Sequence, residues 1–124
     1  MGEPSIPPDI RDFINRHIDS VAQLEALLMM RSSPDTVWDV AAASKRLYVS
    51  QQEAGDTLDR LCANGLLTCK DGNYRYECAP ELRATVDELA LAYSRLLIPI
   101  TNLIHAKPRR IREFADAFKF RKER

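Results

Sequence analysis

Tyr48-Val49-Ser50-Gln51-Gln52-Glu53 is the stretch on which the fold turns. Ser-x-x-Glu is a capping box: the serine oxygen takes the amide three residues on, and the glutamate reaches back, so a helix starts directly after Ser50. That helix runs to about Ala63 with Ala54, Leu58 and Leu61 on its inward stripe, and Asn64-Gly65 supplies the left-handed residue that ends helices. Leu66 to Lys70 and Asn73 to Glu77 then flank Asp71-Gly72, a strong two-residue hairpin signal. Upstream, Thr36 is placed to cap a helix from Val37 to about Leu47, with Asp39 in its first turn and Trp38 as a core or dimer-contact residue. Helix, turn, helix, hairpin is the order of a winged helix-turn-helix.

Outward from this centre, residues 1–9 hold Pro4, Pro7 and Pro8 and read as a flexible N-terminal arm. Ile10, Phe13, Ile14, His17, Ile18 and Val21 follow at helical steps, with His17 as a partly buried helical residue. Ser20 and Gln23 form a second capping box that restarts a helix through Leu24, Leu27 and Leu28 to Met30. The winged-helix domain is thus expected over 10–79. From Pro80 onward Leu82, Val86, Leu89, Tyr93, Leu96, Ile100 and Leu103 alternate steps of four and three, a heptad seam with leucine at every d position. This predicts one long helix over 80–106, kinked near its end by Pro99, whose seam is the interface of a homodimer; a core helix within one protomer is the competing use. Residues 107–124 form a basic amphipathic segment with Ile111, Phe114, Ala115 and Phe118 on one side. Packing across the partner, contact with DNA phosphate and adsorption to an anionic membrane surface compete for it. The fold class expected is mainly α with a small β-hairpin: a winged helix-turn-helix plus a long C-terminal dimerisation helix.

Composition narrows the function. At 124 residues the chain is about one domain, and 18 Lys+Arg balance 18 Asp+Glu, so there is no overall basic field of the non-specific nucleic-acid binder. From Lys107 onward eight basic residues face three acidic ones, which leaves +5 there and −5 over residues 1–106. No uninterrupted apolar run approaches the roughly 20 residues of a membrane span, and no basic-then-apolar leader opens the chain, which predicts a soluble, cytoplasmic protein. Cys62, Cys69 and Cys78 are an odd count without paired CxxC spacing, expected as reduced structural thiols rather than a disulfide framework, with a redox or metal sensor using them and His17 or His105 as the alternative. No phosphate loop, nucleophile elbow or HExxH is present, so neither catalysis, cofactor nor metal is expected.

Val37 to Tyr76 resembles the winged helix-turn-helix of bacterial transcriptional regulators of the multiple-antibiotic-resistance and PadR-like kinds. Ser50, Leu58, Leu61, Asn64-Gly65-Leu66-Leu67 and Asp71-Gly72 sit where those regulators place the recognition-helix cap, its buried stripe, the Gly-Leu exit and the wing turn. The resemblance implies a homodimer on double-stranded DNA, with Gln51, Gln52, Gly55, Asp56 and Arg60 near the bases and Lys45, Arg46, Lys70 and Arg75 near phosphates. Yet Glu53, Asp56 and Asp59 against Arg60 leave the reading helix at −2, the wrong sign for phosphates. The alternative is therefore a winged module whose acidic helix docks a basic protein partner. An effector pocket, if one exists, is expected between the long helix and the winged domain.

Overall fold

A computed structural model describes residues 5–107. Residues 1–4 of the expected arm and 108–124 of the basic segment lie outside the described residues. Among the described residues, six helices and three strands follow in order: α1 Pro8–His17, α2 Val21–Ser32, β1 Trp38–Asp39, α3 Val40–Leu47, α4 Gln51–Ala63, β2 Leu67–Lys70, β3 Asn73–Tyr76, α5 Pro80–Arg95 and α6 Leu97–Lys107. The architecture is mainly helical with a small antiparallel sheet, as expected for a winged helix.

Local chemistry sets most boundaries. Ser20 Oγ accepts the Gln23 amide at 3.1 Å, while the Gln23 side chain takes the Asp19 amide at 2.7 Å, which starts α2. Ser50 Oγ accepts the Glu53 amide at 3.0 Å and starts α4. Gly65 exits α4 at φ 80°, and the β2–β3 turn places Asp71 and Gly72 at φ 54° and 78°, the two left-handed residues of a tight hairpin. The arm is shorter than expected: Ile6 is buried in the core, and Pro8 and Asp9 already form the first turn of α1, where a proline's missing amide costs nothing.

Three further expectations are corrected. The helix expected from Val37 begins only at Val40, because Asp39, not Thr36, caps it, its Oδ1 accepting the Ala42 amide at 2.8 Å. Trp38 and Asp39 instead pair with Tyr74 and Asn73, giving a three-stranded sheet of order β1-β3-β2. The helix expected over 80–106 breaks at Leu96 into α5 and α6, bent by 112°. Pro99 explains the position of the break: its ring excludes the carbonyl four residues back, that of Arg95, where α5 ends, and it then sits in the first turn of α6. No single helix among the described residues is long and apolar enough to cross a membrane.

The bend folds the heptad seam onto the protomer's own core. Val86, Leu89 and Ile100 are fully buried and Leu103 nearly so, while Leu82, Tyr93 and Leu96 are half-buried against the same cluster. Opposite them stand Ile10, Ile14 and Ile18, with Leu24, Leu27 and Met30 of α2 and Leu58 and Leu61 of α4 completing one core. The seam expected as a dimer interface is thus mostly spent inside one chain. The exposed apolar residues of this region are others: Leu91, Leu97 and Ile98, at 67%, 48% and 65% exposure.

The cysteines also depart from expectation. Cys62 and Cys69 are joined as a disulfide, and Cys78 is a free, buried thiol. An odd count by itself favours three thiols; the helix exit at Asn64-Gly65 turns the chain back so that the two Cα atoms come within 6.3 Å.

Candidate nucleic-acid interface

α3 and α4 pack against each other as the helix-turn-helix pair, and β2 and β3 extend from the end of α4 as the wing. The inward stripe of α4 is Ala54, Thr57, Leu58 and Leu61, all buried, which leaves Gln51, Gln52, Glu53, Asp56, Asp59, Arg60 and Ala63 outward. Of the residues expected near bases, Gln51, Gln52, Asp56 and Arg60 are exposed. Gly55 turns toward α3: a side chain built on it would lie 3.7 Å from Val40 Cγ2.

Two charges of the acidic helix are engaged within the fold. The Tyr74 hydroxyl on β3 donates to Asp59 Oδ1 at 2.5 Å, lashing the wing to α4. That bond, together with burial, pushes the Tyr74 hydroxyl up to about 12. Arg60 is drawn the other way, into an ion pair with Asp19 at the start of α2. Asp19 also pairs with Lys107 at 2.9 Å, so one carboxylate joins α4 to the end of α6. Burial raises the Asp19 carboxyl, but the Lys107 ammonium and the Arg60 guanidinium outweigh it and hold it below its ordinary value. His17, half-buried, shares a 2.9 Å hydrogen bond with the Asn64 side chain, which anchors α1 to the exit of α4.

The residues expected near phosphates flank α4 on both sides. Lys45 and Arg46 are exposed in the last turn of α3; Lys70 is exposed beside the wing turn, and Arg75 is exposed on β3, 3.4 Å from Glu77. A cleft of about 430 Å³ beside the wing is lined by Val37, Thr68, Lys70, Tyr74 and Arg75. A second of the same size lies between α2 and α4, with Asp19, Glu53, Asp56 and Arg60 on its walls. At the junction of α2, α3 and α5 there is a cleft of about 340 Å³ crossed by a 2.8 Å bond from the Tyr93 hydroxyl to Glu25.

Tyr48, in the turn between α3 and α4, is 93% exposed and sits in the left-handed region at φ 59°. Sequence patterning gives no signal for this, because the usual occupant of a helix C-cap in that conformation is glycine or asparagine.

No protein-family model matches the sequence, and no curated protein does. Among solved structures, a MarR family protein of Mycobacterium tuberculosis is similar at 16% identity and a TM-score of 0.51, over 90% of this chain and 81% of that one. A possible transcriptional regulator from Methanosarcina mazei Go1 is 17% identical with a TM-score of 0.48, over 71% of this chain and 82% of the other. At such identities the likeness is one of fold, and the first of the two carries it: the chain has a winged-helix fold.

Proposed function

We propose that the chain is a homodimeric winged-helix transcriptional regulator that binds double-stranded DNA through α4 and the wing, working in the bacterial cytoplasm. The observation that carries this is the uncovered first turn of α4, with Gln51 and Gln52 exposed between basic residues on both flanks. Glutamine can read adenine through paired hydrogen bonds, while Lys45, Arg46, Lys70 and Arg75 supply the sequence-independent hold on phosphate. The charge objection keeps its size, because Arg60, drawn to Asp19, drops out together with Asp59 and the outward face stays at −2. Asp59 is held by Tyr74, which leaves Glu53 and Asp56 as the carboxylates facing outward without such a tie. Leu91, Leu97 and Ile98, exposed around the α5–α6 bend, support a contact with a second copy there instead of along the heptad seam.

A second reading rests on its own observation. Glu53 and Asp56 line the same cleft as Asp19, a carboxylate-walled surface suited to a basic protein partner. Charge reversal separates the two. Lys45→Glu with Arg75→Glu should lower DNA affinity and flatten the dependence of log K on log salt by about two, about one for each phosphate no longer neutralised. Asp56→Arg should strengthen DNA binding. An unchanged salt slope in the double variant would refute the phosphate assignment and favour the protein-docking module.

A further inference from the structure

The Cys62–Cys69 disulfide occupies a mechanically specific place. Cys62 lies in the last turn of the reading helix α4 and Cys69 in the middle of β2, so the bond closes over Asn64-Gly65-Leu66-Leu67, the junction that sets the angle between helix and wing. Cys69 is paired in register with Tyr74, whose hydroxyl donates to Asp59, one turn before Cys62. Helix and wing are therefore fastened at one level by two links, one covalent and one a hydrogen bond.

As a staple the bond has little to do. It joins residues only seven apart, and short loops gain least from closure. Their ends are already fixed by the buried Leu61, Leu66 and Leu67 and by the β2–β3 ladder. It is also reachable: Cys69 is exposed and Cys62 half-buried, whereas Cys78 is buried. Thiol–disulfide exchange depends on such access to a sulfur.

We propose that Cys62–Cys69 is a reversible thiol–disulfide switch that sets the coupling of wing to reading helix and, resting on the DNA-binding reading above, the affinity for DNA. Reduction by a glutathione-type thiol proceeds in two exchanges. A glutathione thiolate attacks the exposed Cys69 sulfur, forming a mixed disulfide, and Cys62 leaves as a thiolate that takes a proton from water. A second glutathione thiolate attacks the glutathione sulfur of the mixed disulfide, Cys69 leaves and is protonated, and glutathione disulfide carries away the two sulfurs that were oxidised. Two electrons pass to the protein, and glutathione disulfide reverses both steps. In the reduced state the covalent link is lost, and the Tyr74–Asp59 bond with the packing of Leu61, Leu66 and Leu67 is what holds the wing to α4.

The test uses the full chain, equilibrated across ratios of glutathione to glutathione disulfide, with alkylation and mass spectrometry to count thiols. Cys62 and Cys69 should interconvert between disulfide and two thiols while Cys78 stays a thiol. Reduction should raise amide exchange in β2 and β3 and weaken binding to the duplex best bound by the oxidised protein by about five-fold or more. Cys62→Ser with Cys69→Ser should behave as the reduced protein at every ratio. A pair that stays oxidised or stays reduced across all ratios, equal amide exchange in both states, or a double serine variant that binds like the oxidised protein would each overturn the switch. If neither state binds any duplex, the DNA reading fails and the control of affinity with it, while amide exchange still decides whether the pair sets the wing.

Discussion

Tyr48 holds an aromatic side chain in the open on a left-handed backbone, and no described residue gives that side chain a hydrogen bond or a ring contact. For a residue with a Cβ, this conformation costs about 1–2 kcal/mol, and glycine avoids it. Strain of this sort persists where the surrounding structure enforces it and often marks a contact site. Tyr48→Gly should therefore raise stability by about 1 kcal/mol in denaturant titration while lowering DNA affinity, because the ring stands between the basic end of α3 and the first turn of α4. Equal affinity would leave Tyr48 as a turn residue only. The residues legible from sequence are those whose physics is local: Ser20, Ser50, Gly65 and the Asp71-Gly72 turn act on amides or dihedrals within a few positions. Tyr74 and Asp59, Arg60 and Asp19, or Lys107 and Ile18 meet across 15, 41 and 89 positions, and nothing in a single sequence ties them.

At the scale of elements, the heptad pattern of 82–103 marks an apolar face correctly but not what faces it. A seam spaced for a second copy has the same period as one spaced for α1, and Pro99, by ending α5 at Arg95, lets the second half of the seam fold back. β1 is hidden for a related reason: two residues paired to β3 are too short to show an alternation. The return of α6 is locked by Lys107, whose ammonium donates to the Ile14 and Ile18 carbonyls at 3.1 and 2.8 Å, at the C-terminal end of α1. Lys107→Met should destabilise the fold by about 1–3 kcal/mol, since it strands the Ile18 carbonyl, leaves that of Ile14 with the Ile18 amide alone, and frees Asp19 from one of its two cations. The acid limb reports the same knot. The folded carboxyl of Asp19 lies below the ordinary 3.8, so its contribution is present above that pH and is lost as pH falls through the lower folded value. Asp19→Asn should accordingly narrow its stability gap to the parent protein as the solution is acidified below 3.8, and a gap independent of pH would place the carboxylate outside the knot.

For the molecule as a whole, charge decides between the two functions. Residues 1–106 carry −5, so binding to DNA has to come from placement of a few cations around α4, with the basic 107–124 segment adding attraction from the C-terminal end. Such a protein should be selective or should not bind DNA at all, because a chain of zero net charge lacks the field for indiscriminate adsorption. The most direct measurement is selection of bound duplexes from a random pool by the full-length protein at near-physiological salt. A homodimeric reader predicts enrichment of a palindromic motif whose half-sites lie about 10 base pairs, or a multiple of that, apart. Recovery of no motif, with weak binding that vanishes as salt rises, would contradict DNA reading by α4 and leave its acidic face to a basic protein partner.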